Sequence, residues 1–305
     1  MDPVVTVVIP TYNQAGYLRE ALASVLAQSF HDWEVIVINN FSEDDTVAVV
    51  ESFADFRIKL EHFRNNGVIG ASRNRGIALA RGRYIAFLDS DDAWLPGKLA
   101  RCIPYLEQGA DLVSHGLRYI GKRSGEFYCG PAHRASVISL LDYGSCITPS
   151  ATLSSKLALE NVGCFSENPA VVTSEDYHLW IKLACSGARM EFINEILGAY
   201  RIHEGNHSNS VMRHLNSVLV VLEEFKQQPE NKRISRLSLR KRQGLAYYGA
   251  ARGMQKNGQF SLAAGLYLKA LFHRPFLLRI YVLSVLNILE FLASRLQRLK
   301  SNNLR

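Results

Sequence analysis

The sequence predicts an α/β protein with a doubly wound, mostly parallel sheet, followed by a helical C-terminal region. Three observations lead there. Short, continuous apolar runs rich in β-branched residues recur through the first hundred residues, as strands buried on both faces of a parallel sheet do. Segments with apolar residues at helical spacing alternate with these runs. Polar clusters stand at the ends of three of them, where open α/β sheets bind ligands.

The first two runs are VVTVVIP (4–10) and WEVIVIN (33–39). Between them, YLREALASVLAQSF places Leu18, Ala21, Leu22, Val25 and Leu26 at helical spacing, which makes a βαβ unit. A helix over DDTVAVVESFAD, a strand over RIKLEHF, a helix over ASRNRGIALARG and a strand over RYIAFL continue the alternation. After Leu95-Pro96 a helix is expected over GKLARCIPYLEQ and a strand over ADLVSHGLRYI, while GKRSGEFYCGPAHR reads as a loop or hairpin. Helices follow over SVISLLDY, over SKLALENVG with Gly163 as its stop, and over EDYHLWIKLACSG. The last carries acids in its first turn and ends at Gly187.

At 305 residues the chain accommodates an α/β core of about 200 residues plus an appendage. The character changes beyond EFINEILGAYRIHEGNHSNS, so a boundary is placed near residue 210, between a ligand-binding domain (1–210) and a basic helical region (211–305). Charge divides at the same place. Residues 1–210 hold 18 Lys and Arg against 24 Asp and Glu, a net of −6, and residues 211–305 hold 17 against 4, a net of +13. The basic part suggests an anionic membrane surface or an anionic acceptor, with a solvated basic face as the plainer alternative. It does not suggest nucleic acid, because aromatic and basic residues are not interleaved on strands there.

Within that region GLAYYGAARGMQKNGQFSLAAGLYLKALFHRP reads as two helices around a Gly turn, closed by a proline. From Phe276 to Ser294 the chain is strongly apolar, yet Arg279, Asn287 and Glu290 interrupt it and, with Ser294 and Arg298, fall near one face. That pattern suits an interfacial helix, or one packed on its own domain, better than a spanning one. The five cysteines are widely spaced and form no CxxC pair, which argues against a disulfide framework and a zinc site. The N-terminus enters a strand at once, without a basic n-region before an apolar stretch. The expectation is a cytoplasmic protein, with the basic region available to the inner face of the membrane.

The polar clusters at the three strand ends are PTYN (10–13), NNFSEDDT (39–46) and DSDD (89–92). Asp89, Asp91 and Asp92 crowd three carboxylates into four residues. One of them suffices to cap the next helix, which leaves either repulsion or a cation, and oxygen ligands at a strand end suit Mg²⁺ or Mn²⁺ held with substrate phosphates. The cluster alone leaves a capped turn and a cation site equally open.

VVIPTYNQAGYLREALASVLAQSF, EVIVINNFSEDDT, NNGVIGASRNRGIALARGRYIAFLDSDDAWLP and SEDYHLW occur in that order, and together they resemble the family 2 inverting glycosyltransferases of the Rossmann-like GT-A fold. The likeness spans residues 4–207. It implies a metal-dependent transfer of sugar from a nucleotide-sugar to a hydroxyl of a cell-surface glycan or lipid-linked acceptor. By the resemblance, Asp91 and His203 would hold Mn²⁺ or Mg²⁺, and Asp176 would be the catalytic base. The nucleotide side would comprise Pro10, Thr11, Tyr12, Asn13, Asn40, Arg73, Asn74, Asp89 and Ser90. Asp92 is expected to cap the following helix, Trp180 to pack, and His207 rivals His203. One departure stands out: where the family usually reads DDGS or DDxS, this chain has Asn39-Asn40-Phe41-Ser42. A neutral Asn40 donates as well as accepts, which leaves a UDP-sugar as the default donor with other nucleotides open. Two other functions are weighed. A nucleotidylyltransferase needs a Gly-rich loop with a lysine after the first strand, which PTYNQAG lacks. A nucleotide-sugar-binding pseudoenzyme draws support from the Asn39-Asn40 departure and meets opposition from DSDD and Asp176.

Overall fold

The computed structural model describes residues 2–203, 210–227 and 234–302, with side chains to residue 296. Strand β1 (Val5–Thr11) is buried along its whole length, as is β2 (Trp33–Asn39), and the two pair in parallel with Val5 opposite Trp33 and Thr11 opposite Asn39. Helix α1 (Ala15–Leu26) connects them and buries Leu18, Ala21, Leu22 and Val25 against the sheet. Helix α2 (Thr46–Glu51) and β3 (Ile58–His62) follow, then α3 (Ile69–Leu79) and β4 (Tyr84–Phe87). All four strands run parallel, in the order β3-β2-β1-β4.

The second half of the sheet is mixed. After a two-residue strand β5 (Ala93–Trp94) come α4 (Lys98–Glu107), β6 (Leu112–Gly121), β7 (Glu126–Phe127) and α5 (Val137–Tyr143). The stretch read as a loop or hairpin is the β6–β7 hairpin. Then β8 (Thr152–Ser155) inserts antiparallel between β4 and β6. Its TLSS sequence gave no strand signal, because it is short and three of its four residues are hydroxylic. Helix α6 (Lys156–Asn161) and α7 (Glu175–Ser186) lead to β9 (Met190–Ile202), which pairs in parallel with β6 through a bulge near Gly116. Gly187 ends α7 in the left-handed conformation, at φ 86°, as expected. With β9 parallel to β6, its carboxyl end emerges on the same edge as those of β1–β4.

Two glycines of α3 set how closely it packs, Gly76 on the sheet and Gly70 on the segment around Ser166. A Cβ at Gly76 would fall 2.4 Å from a Val8 methyl, and one at Gly70 would fall 2.6 Å from the Ser166 carbonyl oxygen. The absence of side chains there lets α3 sink between β1 and the Ser166 segment, with Arg73 in the interior.

The chain divides into two compact units, residues 1–140 with 145–206, and residues 141–144 with 207–305. The second contains α8 (Val211–Gln227), α9 (Arg236–Lys256), α10 (Phe260–His273) and α11 (Leu278–Asn302). Its core gathers Leu215, Ala251, Met254, Leu266, Tyr267 and Ile280. The two-helix reading corresponds to α9 and α10, turned at Gly258 with φ 71°. No helix among the described residues is long and apolar enough to cross a membrane.

Candidate functional site

The strand order reverses between β1 and β4, and the polar clusters meet at this edge. Thr11 is buried at the end of β1, Tyr12 is exposed, and Asn13 turns the chain at φ 50°. Asn13 Oδ1 accepts the Glu43 N–H at 2.8 Å, and the Asn13 N–H donates to Ser42 Oγ at 2.9 Å. Asn40 donates its backbone N–H to the Thr11 carbonyl at 3.0 Å, while its Oδ1 accepts from the Asn65 N–H at 3.0 Å. The first two clusters thus form one hydrogen-bonded rim. Asn39 lies buried beneath it, with Oδ1 accepting the Ser42 N–H at 2.9 Å.

Arg73 is 2% exposed and sits between two carboxylates, Nη2 at 2.7 Å from Asp89 and Nη1 at 2.8 Å from Glu175. Burial opposes its charge, but the two carboxylates outweigh that and raise its pKa above the usual guanidinium range. A fork-shaped, permanently charged group suits this bridge, whereas a single ammonium does not span it. The bridge ties the loop after β4 to the first turn of α7. The sequence marks Glu175 only as an acid beside Asp176 in the first turn of its helix; its link through Arg73 to Asp89 was not legible, because the partners lie 102 and 16 residues from Arg73.

On the other flank β9 supplies two clamps to the same loop. His203 Nε2 lies 2.8 Å from Asp91 Oδ2, and Tyr17 stands beside the imidazole at 5.0 Å between ring centres. Arg201 donates its backbone N–H to Asp92 Oδ1 at 2.8 Å and its Nε to the Asp91 carbonyl at 2.9 Å. Burial, with Asp89 alongside, raises the Asp91 carboxyl above the ordinary range, against the pull of His203. Buried Asp92 is raised further, by burial first and then by Asp91 and Asp89.

The expectation that Asp92 caps α4 is corrected: Gly97 occupies the cap position, and Asp92 turns inward to β9. Beneath the loop, Ser150 Oγ accepts the Asp89 N–H at 3.1 Å. The Ser150 carbonyl accepts from Trp94 Nε1 at 2.9 Å and from fully buried Lys98 Nζ at 3.1 Å. Ser150 and Lys98 were missed because a serine in a loop and a lysine in a first helical turn carry no burial signal.

Asp176 occupies the first turn of α7, beside Glu175, with Oδ1 accepting the Tyr177 N–H at 2.7 Å. Burial pushes its carboxyl up to about 7, helped by Glu175 and Asp89 and resisted by Arg73. A group that exchanges protons near neutrality is suited to general base chemistry.

The structure thus brings Asp89, Asp91, Asp176, Arg73 and His203 into one connected cluster, with Thr11, Tyr12, Asn13 and Asn40 on the adjoining rim. Pro10 is buried within β1, in register with Ile38. Two residues are engaged elsewhere. The Asn74 amide donates to the Phe165 carbonyl and Glu167 and accepts the Phe165 N–H, which fixes the 165–167 segment. Buried Ser90 donates its hydroxyl to Gln14. Trp180 is packed with no exposure, and His207 lies outside the described residues.

As for a metal, no group of three or more His, Cys, Asp or Glu side chains with ligand geometry occurs among the described residues. The donor pair that does occur fits a hard divalent cation. Asp91 Oδ2 and His203 Nε2 are hydrogen-bonded to each other at 2.8 Å; with Nε2 unprotonated both are donors that such a cation accepts, and it takes its remaining ligands from phosphates and water.

The fold is that of the GT-A glycosyltransferases, and the chain belongs to glycosyltransferase family 2. The model of "Glycosyl transferase family 2" matches residues 6–143. An uncharacterized glycosyltransferase of Rickettsia typhi is 31% identical over 70% of this chain and 69% of its own length. The Escherichia coli protein WfgD, named UDP-Glc:alpha-D-GlcNAc-diphosphoundecaprenol beta-1,3-glucosyltransferase, is 30% identical over 75% of this chain and 88% of its own. Among solved structures, S. aureus TarS 1–349 in complex with UDP-GlcNAc superposes with a TM-score of 0.65 at 17% identity, covering 88% of this chain and 82% of that one. The mannosyltransferase PcManGT from Pyrobaculum calidifontis, in complex with GDP-Man and Mn²⁺, gives 0.60 at 18% identity, over 98% of this chain and 88% of that one. The protein is therefore a glycosyltransferase.

Proposed function

We propose that this glycosyltransferase is inverting and metal-dependent, moving a hexose from a nucleotide-sugar, a UDP-sugar by default, to a hydroxyl of a lipid-linked glycan. The observation that carries the reading is the Arg73 bridge, which fixes Asp176 relative to Asp89 and the Asp91–His203 pair on one sheet edge. Residues 1–210 supply this machinery, and residues 211–305 address the acceptor or the membrane that holds it.

In the proposed reaction the rim of Thr11, Tyr12, Asn13 and Asn40 receives base and ribose, with Asp89 beside the ribose. Asp91 and His203 would hold Mn²⁺ or Mg²⁺. When bound, such a cation neutralises the charge that grows on the departing diphosphate. Asp176 accepts the proton of the acceptor hydroxyl as its oxygen attacks the anomeric carbon opposite the leaving group, so the configuration inverts. Arg73 acts behind the reacting atoms by holding Asp89 and Glu175 in place. Asn74 and Ser90 take part by fixing the walls of the site.

The names of WfgD and of its E. coli counterpart WfaP, 29% identical over 70% of this chain and 82% of its own length, support a UDP-sugar donor and a diphosphoundecaprenol-linked acceptor. Such an acceptor resides in a bilayer, which agrees with a cytoplasmic enzyme at the inner face of the membrane and with the +13 charge of residues 211–305. A panel of UDP-, GDP- and dTDP-sugars incubated with Mn²⁺ tests the proposal. Release of nucleoside diphosphate that disappears with chelator and in Asp91→Ala is expected. Metal-independent release, or an Asp91→Ala variant as active as the parent, would refute it.

A further inference from the structure

The polarity of α11 is turned inside out. Its inward seam carries Ile280 and Phe291 but also Ser284, Asn287 and Ser294. Asn287 is 1% exposed and donates Nδ2 to the Phe260 carbonyl at 3.0 Å. Glu290, the sole acid of this helix, accepts a hydrogen bond from Gln255 at 2.9 Å. The polar residues that the sequence places near one face of the helix therefore serve in part as contacts to α9 and α10.

The opposite face is apolar and open. Leu278, Val282, Val285, Leu286, Ile288 and Leu289 are each between 42% and 77% exposed. At 3.6 residues per turn they cover an arc of about 160°, wider than a coiled-coil seam. Arg279 and Arg295 stand just outside the two borders of this arc, roughly 20° beyond its limits. Apolar residues across a broad arc, with arginines along both margins, are the arrangement of a helix lying in a membrane interface, where aliphatic stems stay in the acyl boundary and guanidinium groups rise to the headgroups.

We infer that the exposed face of α11 docks on an anionic lipid surface, with Val285 and Leu289 inserted and Arg279 and Arg295 at the phosphates. Charge decides against a second copy of the chain. Two copies paired on this face would oppose arginines at their margins with no free acid on the helix to meet them, and each would bring a region of net +13. The inference rests on the membrane-bound acceptor proposed above, and it identifies the surface that brings the enzyme to that acceptor.

Flotation of the full chain with phosphatidylcholine vesicles, with and without one-third phosphatidylglycerol, tests it. The parent is expected to float with the anionic vesicles. Val285→Glu with Leu289→Glu should abolish flotation while melting temperature and vesicle-free nucleotide-sugar hydrolysis stay unchanged. Arg279→Gln with Arg295→Gln, which leaves the apolar arc intact, should weaken partitioning onto the anionic vesicles by roughly thirtyfold. Flotation of the double glutamate variant equal to that of the parent would overturn the inference. So would a vesicle-free dimer, seen by light scattering, that dissociates in that variant. If hydrolysis is absent from the parent but flotation behaves as stated, the enzymatic reading falls and the docking surface stands.

Discussion

Asp91 Oδ2 and His203 Nε2 meet at 2.8 Å although 112 residues of chain separate them. The contact exists because β9 runs parallel to β6 and delivers its carboxyl end to the edge where β4 ends. His203→Ala should lower the Mn²⁺-supported affinity for UDP by at least roughly tenfold, the lower end of what loss of even an outer-sphere partner costs. Titration calorimetry with Mn²⁺ and with chelator measures this. An unchanged metal dependence in the variant would separate His203 from the cation.

Asp176 should act ionised. With its carboxyl pushed up to about 7, kcat/KM is expected to rise with pH through that value and then level off. Asp176→Asn should reduce transfer by ~10²–10⁴-fold while UDP still binds, and a titration showing lost UDP affinity would contradict the role of base. Stability runs the other way. The folded state retains a proton that an ordinary carboxyl at 3.8 releases, so this contribution is complete below pH 3.8 and is lost as pH rises through about 7. Denaturant melts across that window should show a shallower fall in Asp176→Asn.

Removing Arg73 leaves two carboxylates facing a buried void. Arg73→Met should cost about 3–5 kcal/mol, the range for breaking one side of a buried ion pair. Arg73→Lys should recover little of this, and pairing Arg73→Met with Glu175→Gln should recover part. Equilibrium unfolding in urea reads all three. A loss under about 1 kcal/mol in Arg73→Met would mean that the bridge is not what holds α7 to the DSDD loop.

Asn40 offers a neutral acceptor whose oxygen already receives the Asn65 N–H. Asn40→Asp should strengthen UDP binding by about five- to tenfold, since a hydrogen bond to a charged acceptor exceeds a neutral one. Affinity for GDP should move less. Equal gains for UDP and GDP would mean that Asn40 does not read the base.

Much of the fold was legible because its strands announce themselves. VVTVVIP and WEVIVIN are buried on both faces and contain almost nothing but apolar residues, and helix α1 between them carries one apolar stripe. The mixed half was less legible, since β8 is four residues of TLSS and the alternation of β9 is broken by a bulge. The candidate site residues were visible as residue types: DSDD, SEDYHLW and IHEG each placed a titratable group at the end of an element. Their partnerships were not.

The sequence by itself determined the alternation of strand and helix, the acidic first part and the basic second part, and which carboxylates stand at strand ends, because these depend on periodicity and local composition. Only the tertiary structure decided what each polar group faces. It turned Asp92 from a helix cap into a buried acceptor for Arg201, set Arg73 between Asp89 and Glu175, and rotated α11 so that Asn287 is inside and Leu278 outside. The physical reason is the same in each case: a buried polar group must find its hydrogen-bond partner, and that partner can lie anywhere along the chain.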